Sequence, residues 1–145
     1  STIQIKSLIL MNTFDGCDDD SQTVPIILKP KTRGDILRFK MGKKDLSVGV
    51  YYALTDSEIE PAVLRVYDYK NLKMCPAKIR LLSETDDEND KVLKIVSETY
   101  AHAVHIKTRI NYKLSDNYFD MLPGEKRNIV IKNGAGCDFE IKTVN

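Results

Sequence analysis

Hydrophobic and polar residues alternate with a period of two in most of the apolar segments of this chain. The clearest cases are residues 37–41, 104–110 and 139–143, where apolar or β-branched side chains alternate with charged or polar ones. Such alternation predicts β-strands with one buried face. No segment carries a sustained apolar stripe at helical spacing, and the one short helical candidate, residues 57–62, is interrupted by Pro61.

Shorter β-rich runs raise the expected total to about ten strands. These further strands are predicted at residues 3–11, 24–28, 46–53, 63–69, 79–82, 92–97 and 128–132. Turn-forming residues separate the strands at regular intervals, with polar gaps at residues 12–22 and 84–90. We therefore expect an all-β protein with a β-sandwich architecture.

The alternation breaks at residues 70–77, where Pro76 cannot donate a hydrogen bond to a neighbouring strand. We place a domain junction there, which divides the chain into residues 1–74 and 75–145. Two separate cores of about 70 residues would each be only marginally stable. We therefore expect the two domains to share an interface and to unfold together.

Composition narrows the class of protein without naming a function. Charged residues make up 30% of the 145 residues, hydrophobic residues make up 42%, and the net charge is +1. This is a globular balance, and a near-neutral chain gives no reason to expect a nucleic-acid or membrane partner. The longest apolar run, residues 8–11, is far shorter than the roughly 20 residues of a membrane span. No signal peptide begins at Ser1, which leaves the compartment of a longer parent protein open.

Three cysteines, Cys17, Cys75 and Cys137, are odd in number and widely spaced, so they cannot form a complete disulfide framework. We expect free thiols, and the alternative is one disulfide with one thiol left over. His102 and His105 are three residues apart, which on a regular strand places them on opposite faces and prevents them from chelating one metal together.

Acidic clusters at residues 15–20 and 84–90 could hold a hard cation, but the first lacks EF-hand spacing. Solvated turns between strands are the preferred interpretation of both. Neither a nucleophile elbow nor a glycine-rich phosphate loop is present. No pair of carboxylates is singled out for glycoside hydrolysis either. The sequence therefore assigns no catalytic residue, no metal ligand and no cofactor.

Sugar binding is harder to dismiss, because sugars present apolar faces that pack on flat aromatic rings. The chain has no Trp but offers several other rings, and Tyr combines a ring with a polar group. The candidates are Tyr51, Tyr52, Tyr67, Tyr69, Tyr112, Tyr118 and Phe119. The alternative is that these rings fill the core and the domain interface.

Residues 114–125 form the most informative stretch, a long aromatic loop followed by the strand predicted at residues 128–132. Pro123 and Gly124 suit the two central positions of a type II turn. Asp116 and Asn117 can bond to nearby backbone amides. Four apolar side chains, at positions 118, 119, 121 and 122, are too many to remain in water together. We expect at least two of them to anchor the loop against the sandwich or against the first half of the chain.

The same stretch carries a family resemblance. Residues 115–125 read Ser-Asp-Asn-Tyr-Phe-Asp-Met-Leu-Pro-Gly-Glu, which resembles a pattern of the family-two β-mannosidases and departs from it only at Met121. Residues 92–104 are similar to the strand pair that precedes this loop in that family. Residues 8–16, 27–30 and 65–78 resemble more weakly the preceding domain and its junction.

The resemblance implies two small immunoglobulin-like sandwich units in tandem, at the C-terminus of a β-mannosidase. The first unit would begin partway into its domain, since about five strands are predicted where such a fold has seven or more. The parent would remove terminal β-linked mannose with retention, using glutamates in a TIM barrel upstream in the same chain. It would be periplasmic, extracellular or lysosomal.

No residue matches the catalytic motifs of that family, so the chain itself is expected to be a non-catalytic accessory region. Accessory domains can lie against the active-site face of a barrel. Asp116, Asn117 and Tyr118 are therefore candidates for shaping a substrate pocket for a manno-oligosaccharide. The alternatives are a stand-alone carbohydrate-binding or adhesion module, and a purely structural β-domain of another protein.

Overall fold

The computed structural model describes residues 3–5, 7–13, 18–21, 26–28, 47, 49–54, 62–65 and 67–145. The chain is all-β, as predicted, and in its described residues helical structure is limited to short 3-10 turns such as Tyr69–Asn71. The chain divides into two compact units, Ser1–Lys73 and Met74–Asn145. Across the described segments, no helix has the length and apolar character that a membrane crossing requires.

The described residues of the first unit form six strands in two antiparallel sheets. They are β1 (Ile3–Ile5), β2 (Ser7–Thr13), β3 (Asp18–Ser21), β4 (Ile26–Leu28), β5 (Gly49–Leu54) and β6 (Ala62–Leu64). β1 pairs with β4, and the larger sheet has the order β3-β2-β5-β6. Val50 and Tyr52 of β5 are buried, which agrees with a central strand of that sheet.

Two predictions for the first unit need correction. Residues 12–22 were expected to form a turn, but β3 lies within them and pairs with β2. Its run of aspartates carried no strand signal, because an edge strand needs backbone pairing and tolerates charged side chains. The strand expected at residues 63–69 ends at Leu64, and Tyr69–Asn71 form a 3-10 turn instead. The strand predicted at residues 37–41 and the helical candidate up to residue 61 lie outside the described residues.

The second unit is a β-sandwich of two three-stranded antiparallel sheets. Its strands are β7 (Ile79–Asp87), β8 (Asp90–Ser97), β9 (Ala101–Thr108), β10 (Phe119–Met121), β11 (Lys126–Ile131) and β12 (Phe139–Lys142). One sheet has the order β11-β8-β7 and the other β10-β9-β12. The core lies between them and draws buried side chains from four strands: Leu93, Ile95, Ala101, Val104, Ile106, Phe119, Met121, Ile129 and Ile131.

The acidic residues 84–90 were predicted to form a loop, and this is wrong. β7 continues to Asp87, so the connection to β8 is only the two-residue turn Glu88–Asn89. Every residue of β7 after Ile79 is exposed. An edge strand that is solvated on both faces needs no apolar alternation, so its sequence resembles a loop.

β9 contains a bulge that breaks its alternation. Ala101 pairs with Met121 and Val104 pairs with Phe119, so three steps along β9 face two steps along β10. Ala103 adopts a positive φ of 51° within this irregularity. Ala101 and Val104 are consequently both buried, although they are an odd number of residues apart. The strict alternation that was expected to separate His102 from His105 therefore does not hold.

The side chain of Asn145 joins the two ends of the second unit. Its amide nitrogen donates to the carbonyl of Cys75 at 2.9 Å and to that of Tyr100 at 2.8 Å. Its amide oxygen accepts from the backbone N–H of His102 at 2.8 Å. One side chain thus connects the start of the unit, the entry to β9 and the last residue.

Candidate functional site

The long loop between β9 and β10 is fastened to the free edge of β11. Ser115 bonds to Val130 twice, since its N–H donates to the Val130 carbonyl at 2.9 Å and its Oγ accepts from the Val130 N–H at 2.8 Å. Leu114 forms an isolated bridge with Ile131. The loop therefore extends the β11-β8-β7 sheet locally, although it is not part of a regular strand.

Arg127 holds the next part of the loop. Its guanidinium donates to the Asp116 carboxylate at 2.7 Å and to the Glu125 carboxylate at 3.1 Å. The guanidinium also lies over the Phe119 ring, 4.2 Å from the ring centre. An arginine fork that meets carboxylates and an aromatic face together restricts the geometry of all its partners. Asp116, one of the three predicted substrate residues, is therefore engaged in holding the loop.

The Pro-Gly turn forms as predicted. The Glu125 N–H donates to the Leu122 carbonyl at 3.0 Å, and Gly124 has a φ of 80°, which a type II turn requires. The turn is also bonded to the end of β8, because the Gly124 N–H donates to the Ser97 carbonyl at 2.7 Å.

The apolar residues of the loop divide into two groups. Phe119, Met121 and Leu122 are buried, so the prediction that at least two would anchor the loop is confirmed. Phe119 and Met121 belong to the core of their own sandwich. Tyr118 differs, because 69% of its surface is exposed and its φ is 57°. A bulky residue in this left-handed region is uncommon, and it leaves the ring outside while the next residue enters the core.

Asn117 positions the segment before Tyr118. Its side-chain oxygen accepts a hydrogen bond from the backbone N–H of Ile106 at 2.9 Å. This bond takes the place that a strand neighbour would fill beside β9, because β10 begins only at Phe119. A short polar side chain thus continues the sheet edge where the backbone has turned away.

Tyr118 and Asn117 line an open groove of about 460 Å³ at the outer side of β9. His105, Lys107, Asn111 and Tyr112 also line the groove. The rings of His105 and Tyr118 are stacked, with centres 4.8 Å apart and an angle of 15° between their planes. His105 Nδ1 lies 2.9 Å from the Ala103 carbonyl, so this nitrogen carries the proton and donates. Asp116 does not line the groove.

Sequence reasoning missed the carboxylate network of Asp120. Its Oδ1 lies 2.8 Å from His102 Nδ1 and accepts from the Ala103 N–H at 2.9 Å. The Tyr100 hydroxyl donates to its other oxygen, Oδ2, at 2.5 Å. The only available signal was that Asp120 alternates with two apolar residues of β10, which shows that it points away from the core and nothing more.

The acidic cluster at residues 84–90 faces a lysine. Lys91 is buried, with 4% of its side chain exposed, and its ammonium contacts Glu84 at 2.6 Å and Asp86 at 3.2 Å. The hydrogen bond with Glu84 raises the pKa of Lys91, against the opposing effect of burial. Asp90 instead accepts from the Asn133 N–H, which lowers its pKa with help from Lys132. In the part of the chain that the structure describes, no three His, Cys, Asp or Glu side chains are grouped to hold a metal ion.

The remaining predicted candidates have varied surroundings. Phe119 and Tyr52 are buried, Tyr67 is exposed, and the side chain of Tyr51 lies outside the described part. The Arg65 guanidinium lies 4.4 Å from the centre of the Tyr69 ring. Cys75 and Cys137 are half-buried free thiols, as expected for these two, and Cys17 is outside the described residues.

The two packed sheets and their antiparallel order define an immunoglobulin-like β-sandwich. Residues 75–140 match the family model of the immunoglobulin-fold domain of mannosidases. The matched part includes residues 115–125, so the resemblance seen there is confirmed.

The whole chain is similar in structure to the β-D-mannosidase of Dictyoglomus thermophilum, with a TM-score of 0.75 and 21% sequence identity. The match covers 99% of this chain and 18% of that chain, so this chain spans about a fifth of the length of the enzyme. At this identity the likeness establishes the fold alone. A search of curated protein sequences found no match.

Proposed function

We propose that this chain is a C-terminal accessory region of a β-mannosidase-type glycoside hydrolase. The observation that carries the proposal is the match of residues 75–140 to the mannosidase immunoglobulin-fold domain, which includes the loop at residues 115–125. The fold likeness to a β-D-mannosidase supports it. The parent protein would hydrolyse terminal β-linked mannose with retention, and its two catalytic glutamates would lie in a TIM barrel that precedes residue 1 in the same chain.

The bonding of Asp116 and Asp120 supports a non-catalytic role for the loop at residues 115–125. Retaining hydrolysis requires two carboxyl groups about 5–5.5 Å apart, one of which must be free to attack the sugar. Asp116 is bonded to Arg127, and Asp120 accepts bonds from three groups. These contacts favour structural roles for both carboxylates.

We further propose that residues 1–74 form part of an immunoglobulin-like domain, that residues 75–145 form the C-terminal immunoglobulin-like domain, and that the two unfold together. Differential scanning calorimetry of the 145-residue chain tests cooperative unfolding. A single transition is expected, because cores of about 70 residues are marginal alone. Two well-separated transitions would contradict the proposal that the two domains unfold together.

The functional proposal is tested on the natural full-length protein and on the 145-residue chain in parallel. With p-nitrophenyl β-D-mannoside, hydrolysis is expected from the full-length protein only. The configuration of the first-formed mannose, followed by proton NMR, is expected to be β. Hydrolysis by the 145-residue chain, or the absence of a TIM-barrel sequence before residue 1 in the gene, would overturn the proposal.

A stand-alone carbohydrate-binding or adhesion module is the second candidate, and the groove beside Tyr118 favours it. An exposed aromatic ring beside polar side chains is a feature that a binding module needs. The two candidates differ in what precedes residue 1. The accessory region requires a catalytic domain there, and the stand-alone module does not.

A further inference from the structure

Tyr118 presents an aromatic surface to solvent at the edge of the groove. Its φ of 57° is a strained conformation for a residue with a bulky side chain. The neighbours on both sides enforce it, since Asn117 is bonded to Ile106 and Phe119 is buried in the core. Strained residues that the surrounding structure holds in place occur preferentially at functional sites.

The His105 ring supports the Tyr118 ring from one side. The stacking at 4.8 Å and 15° makes the two rings a paired platform, and the bond from His105 Nδ1 to the Ala103 carbonyl fixes the imidazole. A ring that is already ordered loses less side-chain freedom when a ligand packs on it. The platform is therefore suited to bind a flat apolar surface without rearrangement.

Polar groups surround the platform, and several have no protein partner among the described residues. These groups are the Nε2 atom of His105, the Nδ2 atom of Asn117 and the side-chain amide of Asn111. They offer both donors and acceptors. Lys107 and Lys142 add ammonium groups, and that of Lys142 lies 3.5 Å from the Glu140 carboxylate, which is not among the groove residues. A volume of about 460 Å³ is typical of a small-ligand site.

We propose that this groove binds a neutral sugar ring of an oligosaccharide, with the apolar face of the sugar on Tyr118. Hydroxyl groups at the ring edge bond to the amides of Asn111 and Asn117 and to His105 Nε2. A pyranose combines one apolar face with a rim of hydroxyls, which is the complement of this platform and its polar surroundings. The inference goes beyond the accessory role and does not require that the parent be a mannosidase.

The test is a titration of the 15N-labelled 145-residue chain with β-1,4-mannotriose, cellotriose and maltotriose, followed by NMR and calorimetry. Saturable shifts are expected in the amide signals of His105, Asn111 and Tyr118 with at least one of the three sugars. Tyr118→Ala is expected to weaken binding about tenfold or more, whereas Tyr118→Phe should retain most of the affinity. Tyr67→Ala, at an exposed tyrosine of the first unit, is the matched control and should bind normally.

Asn111→Ala gives an independent variant in an exposed loop and should also weaken binding, whatever Tyr118→Ala does to folding. Binding that persists unchanged in both the Tyr118→Ala and the Asn111→Ala variants would overturn the inference. The absence of saturable shifts with all three sugars at millimolar concentration would overturn it as well. Neither result affects β-mannoside hydrolysis by the full-length protein, so the proposed function can succeed or fail separately.

Discussion

The hydroxyl of Tyr100 donates a hydrogen bond of 2.5 Å to the carboxylate of Asp120, twenty residues further along the chain. Tyr100 is almost fully buried and precedes β9, whereas Asp120 is the middle residue of β10. The other oxygen of Asp120 accepts from the N–H of Ala103, the residue with positive φ in the β9 bulge. One carboxylate therefore fixes both the bulge and the strand that pairs with it.

Tyr100→Phe should lower the free energy of unfolding by about 1.5–3 kcal/mol. The substitution keeps the ring in the core and removes a hydrogen bond to a charged acceptor, and such bonds contribute this amount. Urea denaturation followed by circular dichroism measures the difference. Tyr112→Phe is the matched control, because no described residue is hydrogen-bonded to the Tyr112 hydroxyl. It should change stability by less than about 0.5 kcal/mol. Equal losses of unfolding free energy in the two variants would show that the Tyr100–Asp120 hydrogen bond makes no extra contribution to stability.

Phe119→Ala and Tyr118→Ala should have very different effects, although the two rings are adjacent in sequence. Phe119 is buried beneath the Arg127 guanidinium, and its removal should cost about 3–5 kcal/mol. Tyr118 is mostly exposed, so its removal should cost less than about 0.5 kcal/mol. Denaturation curves of the two variants measure both values. A loss below about 1 kcal/mol for Phe119→Ala would argue against the loop being anchored by this ring.

Gly124→Ala should destabilise the protein by about 1–2 kcal/mol, through backbone strain alone. An added Cβ at this position meets no atom within 4 Å, but φ is 80°. Gly124→Asn should cost less, because asparagine tolerates the left-handed region better than alanine does. Thermal unfolding of the two variants gives the comparison. If asparagine costs as much as alanine, the strain explanation fails.

Lys91→Met should change stability at neutral pH by less than about 1 kcal/mol. The ammonium is buried, but its partners Glu84 and Asp86 are roughly half exposed and can be solvated when it is gone. Replacing a buried ion by an apolar side chain of similar length is often close to neutral. A large loss at pH 7 would show that the Lys91 ion pairs contribute more than their exposure indicates.

Lys91→Met should also change how the stability of the protein depends on alkaline pH. The folded protein raises the pKa of Lys91 above its ordinary 10.5. The stabilisation from the charged lysine is therefore complete below pH 10.5 and is lost as the pH rises through the higher folded-state value. Unfolding measured from about pH 9 upward should show a loss in the wild type that Lys91→Met lacks. Parallel curves for the two proteins would contradict this linkage.

Strands with one buried face were predictable because the core imposes a period of two on their sequence. β8 and β11 follow this rule, and so does the second half of β9. The aspartate-rich β3 and the exposed end of β7 were not predictable, because backbone pairing at a sheet edge leaves no pattern in the side chains. The β9 bulge was also hidden, since the alanine at position 103 does not signal a positive φ.

The sequence predicted only those residues of the candidate site that lie within the loop at residues 114–125. The composition of residues 114–125 indicated a loop with a Pro-Gly turn and buried apolar residues, and both are present. Asn117 and Tyr118 were selected from this loop, and both line the groove. His105 and Asn111 were missed because their proximity to Tyr118 depends on the bulge and on the path of the loop. These are three-dimensional features that sequence spacing does not encode.

Asn145 and Cys75, the last and nearly the first residue of the second unit, are one hydrogen bond apart. The two ends of this domain therefore lie next to each other. A circular permutant could be opened at the Glu88–Asn89 turn and joined across this gap by a short linker, with every strand pairing kept. The strand pairing of this sandwich therefore does not depend on where along the domain its chain ends lie.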